Sequence, residues 1–332
     1  MREVEILHRV ICRLKCLRNH RKNNALTNAH LFMKQPIALT IAAMCGFALS
    51  SHAQILVNDT WADGNRTSSG PDGGGIDSPW YFSGTGASMT TTVGNLNAGV
   101  PTGSASWLNY FATDASPVNL ANAGDSLKVT WNFTTGTIGA ANTSQNFRLA
   151  ILDSPSGSIV SSDTSPAAGI YSGGYAMFMN MAPTLGNGNP FQLKKRSVFT
   201  SSDQLSTSGN WGTALGNGAT TGNSGYANAT AYSYTLTLTR NASSGIDIVS
   251  TMAGGTLNGT GTATVSATDA APGTFTFDTF SIRPSGSAST ADAFNFTQYQ
   301  VEFTPAPVPE PSILALSGLG LAALAGYRRQ RK

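Results

Sequence analysis

The sequence predicts an all-β domain, a sandwich or barrel of antiparallel strands, on two observations. From residue 54 to residue 303 the chain is rich in Gly, Ser, Thr and Asn and holds a single Glu, Glu302, and three Lys. Strong helix formers are scarce, whereas β-branched and aromatic residues are plentiful. In addition, short stretches in which apolar and hydroxyl side chains alternate recur between Gly-, Asn-, Ser- and Pro-rich turns, the period of a half-buried strand. A span of roughly 250 residues can bury one substantial core. No fixed-period repeat points to a solenoid.

The strands follow in chain order. Leu127, Val129, Trp131 and Phe133 alternate with polar neighbours, and Phe147, Leu149 and Ile151 repeat the pattern. Tyr175-Ala176-Met177-Phe178-Met179-Asn180-Met181 is too apolar for a strand with one solvated face and is predicted to be central. Residues 222–229 and 254–261 read as loops or hairpin turns inside one domain. The clearest alternation is Tyr232, Tyr234, Leu236 and Leu238 against Ser233, Thr235, Thr237 and Thr239. Phe275 and Phe277 are followed by Phe280 and Ile282, a phase slip at Asp278-Thr279 that predicts a bulge or bend. Tyr299, Val301 and Phe303 close the domain.

This series of strands, with its aromatic placement, resembles concanavalin A-like lectin and laminin G-type jelly rolls. The resemblance implies an antiparallel jelly-roll β-sandwich over residues 54–303. It rests on strand order rather than a sharp motif, and a galactose-binding-type jelly roll is the alternative.

The two ends carry addresses. Met33-Lys34, an apolar stretch over 37–49 and Ser51-His52-Ala53 have the parts of a secretory signal peptide spanning 33–53. Cleavage after Ala53 makes Gln54 the first residue of the exported chain. Residues 1–32, with seven Lys and Arg, read as a start assigned too far upstream or as an extended basic region of the leader. At the other end, the Pro-rich linker 304–308 leads into Pro309-Glu310-Pro311-Ser312, then an uncharged apolar run over 313–327, then Arg328-Arg329-Gln330-Arg331-Lys332. The prolines keep the chain extended around Glu310. The run reaches only about 22 Å as a helix, against a hydrocarbon core of ~30 Å, so it is a marginal single transmembrane anchor. Arg328, Arg329, Arg331 and Lys332 hold that end cytoplasmic and leave the domain outside. This tail, 309–332, resembles the PEP-CTERM sorting signal of Gram-negative bacteria. The resemblance implies an exosortase as partner, processing at Pro309, Glu310 and Pro311, and delivery to the cell surface or the extracellular matrix.

With leader and tail removed, the composition changes. Cys12, Cys16, Cys45 and all four His precede Gln54, so the exported domain has neither cysteine nor histidine. That excludes disulfides, thiolate or imidazole metal sites, and Ser-His-Asp and Cys-His nucleophile systems. The whole chain carries a formal +3, but between Gln54 and Pro309 eight basic side chains stand against fourteen acidic ones, leaving about −6. Nucleic acid is therefore not an expected partner. Paired catalytic Glu residues are absent, since Glu302 is the only Glu of the domain. Pairs such as Asp59/Asp63 or Asp72/Asp77 read as turn residues, and the domain is expected not to be an enzyme.

Two signals point to binding. Asp59, Asp63 and Asn65 place oxygens at alternate spacing beside Gly64, which suits either a calcium ion or successive Asx-turns; calcium is the one cofactor the sequence admits. Aromatic residues beside Pro or Gly suggest exposed rings for stacking on extracellular polysaccharide, with Trp80, Tyr81 and Trp211 the candidates. Lys194-Lys195-Arg196, the one basic cluster of the domain, reads as a solvated turn, with a local contact to an anionic glycan as the alternative.

Overall fold

A computed structural model describes residues 52–307, apart from 68–69, 73–74, 140–143, 155–158, 165–172, 187, 202–203 and 219–222, all within one compact unit, Ser50–Pro309. The expected leader, the Pro309-Glu310-Pro311 strip, the 313–327 run and the basic end lie outside the described residues. Among those described, no helix is long and apolar enough to cross a membrane.

Alternating sequence becomes alternating burial, as an antiparallel sheet requires. The first sheet runs in the order β16 (Thr262–Asp269), β15 (Ile246–Ala253), β14 (Ala231–Arg240), β9 (Ser126–Thr135), β19 (Ala293–Thr304), β6 (Asn95–Gly99) and β5 (Ser88–Thr92). β1 (Gln54–Asp59) pairs with the second half of β19, and β6 with its first half. The second sheet runs β13 (Trp211–Asn217), β12 (Phe191–Arg196), β11 (Gly173–Met179), β10 (Phe147–Asp153), β18 (Thr279–Pro284), β7 (Ser106–Tyr110) and β4 (Trp80–Ser83). Two short pairs, β2 (Gly70–Asp72) with β3 (Gly75–Asp77) and β8 (Val118–Asn119) with β17 (Thr276–Phe277), complete the described strands. All pairings are antiparallel.

The sheets face each other across one core. Leu127, Val129, Trp131 and Phe133 of β9 and Tyr232, Tyr234, Leu236 and Leu238 of β14 meet Phe147, Leu149 and Ile151 of β10 and Tyr175, Met177 and Met179 of β11. Four tryptophans gather around Phe296, with centroid distances of 6.0 Å for Trp61, 5.2 Å for Trp80, 5.7 Å for Trp107 and 4.9 Å for Trp131. On one side the sheets close where Gly216 and Gly218 bring β13 against Val265 of β16; a Cβ at Gly216 would lie 3.1 Å from the Ser266 carbonyl oxygen.

The predicted phase slip is a real break. Asp278 separates β17, which pairs with β8, from β18, which pairs with β10 and β7. β11 is interior and buried on both faces, as its apolar run predicts.

The outer faces of the two sheets differ. On the second, Ala150, Leu152, Ala176 and Phe178 lie under Leu205 and Trp211, and Tyr81, Leu108 and Tyr110 lie under Val160, so the described residues of 197–210 and of 159–164 form lids with small cores of their own. The outer face of the first sheet carries hydroxyls and amides instead. Thr264, Thr251, Thr235, Thr130, Gln300 and Asn58 are aligned across six strands, and the Thr251 and Thr264 hydroxyls are 2.9 Å apart.

Candidate functional site

The rings expected to be free for stacking are buried, which corrects that expectation. Trp80 is 0% exposed, Tyr81 9% and Trp211 3%. Pro79 and Asn210-Gly209 do mark the end of a loop, but β4 and β13 begin at the tryptophans themselves. Trp80 points into the main core, 5.2 Å from Phe296 and 5.0 Å from Tyr299 in edge-to-face geometry. Tyr81 points the other way and meets Tyr110 at 6.3 Å. Trp211 packs on Phe178 at 5.9 Å and donates its indole N–H to the Gln204 carbonyl at 3.1 Å.

The Asp59 region is a run of turns. Asp59 Oδ1 accepts the Trp61 N–H at 2.7 Å, Asp63 Oδ1 that of Asn65 at 2.8 Å, and Asn65 Oδ1 that of Thr67 at 2.9 Å. Each oxygen caps the backbone two residues on, the Asx-turn geometry. Among the described residues no group of three or more His, Cys, Asp or Glu is placed to hold a metal ion. Ala53 and Gln54 are exposed, and β1 starts at Gln54.

The basic cluster is part of β12 rather than a solvated turn. Arg196 is fully buried, donating to the carbonyls of Gln204 and Ser201 beneath the 201–210 lid, and Lys194 Nζ lies 5.2 Å from the Phe178 ring centroid. Lys195 turns to the other side, where Nζ stands 2.9 Å from Asp269 Oδ2 and also donates to the Ala271 carbonyl. The Tyr175 hydroxyl donates to the same Asp269 oxygen at 2.9 Å. Burial, with Asp269 adding to it, raises the Tyr175 hydroxyl well above its ordinary value and keeps it a donor. This triad ties β11 and β12 of one sheet to β16 of the other.

Above the triad opens a cleft of about 350 Å³ lined by Phe199, Leu215, Ala271, Gly212, Gly273 and Lys195. Phe199 is 39% exposed, one of few large apolar side chains left so open. The sequence reading missed it because Val198-Phe199 carries neither strand alternation nor a flanking Pro or Gly. The walls are apolar, the glycines leave room above the strand, and the Lys195 charge is already matched by Asp269. Such a cleft suits an uncharged ligand with one apolar face and polar edges.

A second group of titratable side chains lies at the β10–β18 junction. Asp278, 1% exposed, accepts the Ser154 N–H at 3.0 Å and the Thr279 hydroxyl at 2.7 Å through Oδ1, and the Ser154 hydroxyl at 2.7 Å through Oδ2. Ser154 Oγ is also 3.1 Å from Asp114 Oδ1. Asp153 accepts from Thr274 and Thr276, each at 2.8 Å. Burial pushes Asp278 up to about 6 despite these hydrogen bonds, and raises Asp153 as well. The group clasps the β17–β18 break onto the end of β10.

Comparison with known proteins identifies the tail. Residues 307–332 match the PEP-CTERM protein-sorting motif, which indicates export with transient membrane anchoring toward the cell envelope. No curated protein matches the chain. Similar solved structures include lectin I-B4 from Griffonia simplicifolia in its metal-free form, at 10% identity and a TM-score of 0.42, covering 76% of this chain and 100% of that one. Arcelin-5, a lectin-like defense protein from Phaseolus vulgaris, is similar at 11% identity and a TM-score of 0.40, covering 76% and 98%. The CBM2 module of the evolved Dit of Lactobacillus casei BL23 phage J-1 is similar at 10% identity and a TM-score of 0.39, covering 78% and 100%.

Proposed function

We propose that this chain is an exported jelly-roll protein of a Gram-negative bacterium, processed by an exosortase at Pro309-Glu310-Pro311. It is delivered to the envelope surface or the extracellular matrix, where it acts adhesively or structurally by contacting carbohydrate. The observation that carries this reading is the sorting motif over 307–332. The reading needs neither catalysis nor a cofactor. What supports carbohydrate as the contact is the Phe199 cleft: a half-open ring between glycines, with Lys195 paired to Asp269, matches the apolar face and uncharged edges of a sugar. The hydroxyl and amide rows of the first sheet's outer face supply a second neutral polar surface.

The test is glycan-array binding by the exported protein, with product analysis on the same sugars. Wild-type binding that weakens by about 1–3 kcal/mol in Phe199→Ala, with folding intact, supports contact at the cleft. Binding that survives Phe199→Ala but falls in Thr235→Arg moves the contact to the outer sheet face. A wild type that binds no polysaccharide, including the matrix of its own cells, makes the protein a passive coat. Released sugar fragments would make it an enzyme.

A further inference from the structure

We propose that the exported protein begins with a cyclised residue, the pyrrolidone formed from Gln54. The inference rests on the reading that the leader is removed after Ala53. Cleavage there frees the Gln54 α-amine five ring atoms from its own side-chain amide carbon. The amine nitrogen attacks Cδ, the new N–Cδ bond forms, and the Cδ–Nε2 bond breaks. The departing nitrogen takes the proton the amine loses and leaves as ammonia. Amine and amide held in one residue react without the entropy loss of a bimolecular encounter, so the step needs no co-reactant.

The fold permits this ring where it would forbid it elsewhere. β1 begins at Gln54, while His52 and Ala53 precede it, exposed and outside any strand. The Gln54 side chain is exposed too. The ring uses only N, Cα, Cβ, Cγ and Cδ, all upstream of the Gln54 carbonyl, so the pairing Gln54↔Phe303 and the rest of the β1–β19 register are untouched. It fixes φ much as proline does, a restriction tolerated at the first residue of an edge strand. β1 is such a strand, since among the described strands β19 is its only hydrogen-bonded neighbour.

Cyclisation also guards a weak point. β1 carries Val57, 1% exposed, and leads to Trp61, 0% exposed, yet among the described strands β19 alone pairs with it. An aminopeptidase working inward would reach core residues within a few cycles. A lactam offers no free amine for it to grip, and removes the ammonium from the pole where the chain also leaves the domain. There the Ala306 N–H is held by Asp125 Oδ1 at 2.7 Å.

The experiment uses the protein harvested from culture. Its amines are labelled at once, before digestion, and the N-terminal peptide is read by mass spectrometry. The expected result is a peptide starting at residue 54, lighter than its Gln form by one ammonia and unlabelled. Gln54→Ser should give a labelled terminus that an aminopeptidase trims at least tenfold faster. A labelled, uncyclised Gln54 overturns the inference while leaving the cleavage site standing. A terminus at any other residue overturns the cleavage site and the inference with it.

Discussion

Asp278 makes a pH dependence that can be calculated and tested. Its carboxyl is raised from 3.8 to about 6 in the folded protein, and burial is the main cause. The folded state therefore holds a proton that the unfolded chain gives up between these two values. Stability from this group is full below the unfolded value and is lost as pH rises through about 6. A shift of two units at ~1.4 kcal/mol each makes the loss about 3 kcal/mol between pH 4 and pH 7.5. For a domain of this size that corresponds to roughly 6–12 °C in Tm. The geometry accommodates the proton, because a protonated Oδ2 donates to Ser154 Oγ, whose own hydroxyl then donates to Asp114 Oδ1 3.1 Å away.

The domain carries thirteen other acidic side chains, which wild type and variant share. The measurement must therefore be a difference. Denaturant unfolding of wild type and Asp278→Asn is compared at pH 4.5, 6 and 7.5. Asn keeps one acceptor for the Ser154 N–H and never ionises. The variant should be the less stable protein at pH 4.5 and should gain on wild type by about 2–3 kcal/mol on reaching pH 7.5. A difference that does not change with pH would refute the reasoning.

Three further outcomes follow. Trp80→Ala should destabilise by about 3–5 kcal/mol, because the ring is enclosed by Phe280, Phe296 and Tyr299, whereas Phe199→Ala should change the melting midpoint little; thermal melts of the two variants decide this. Reductant should leave the Tm of the exported protein unchanged, since no cysteine lies beyond residue 53 and no disulfide is there to contribute its usual ~2–4 kcal/mol. A chelator should also leave it unchanged and calcium should not raise it, because Asp59, Asp63 and Asn65 each engage an oxygen in a turn; a calcium-dependent rise would establish a metal site.

Strands whose two faces differ were legible in the sequence. β14 follows Tyr232 to Arg240 almost residue for residue, because period-two alternation is written locally. β15 and β16 escaped notice although they alternate too, since Asp247, Ser250 and the many Thr residues blur the apolar face. Arg196 could not be read from its neighbours at all. Its burial depends on a lid that returns several residues later, and three consecutive basic residues look alike until that lid is placed.

The burial of Tyr81 and Trp211 has a physical reason that the sequence already carries. Leu149-Ala150-Ile151-Leu152 and the run through Met179 are apolar at successive positions, and a strand apolar at successive positions must be covered on both faces. Once the second sheet is known to be covered on its outer side, whatever large side chains point outward from it belong to that cover. Tyr81 and Trp211 are such side chains, and they are the contacts through which segments 159–164 and 197–210 are held down. An accessible ring on this half of the domain therefore has to come from a residue that neither sheet points inward and no lid lies upon. Phe199, at the crest of the segment between β12 and β13, meets that condition, and so the cleft beside it follows from the double burial of β10 and β11.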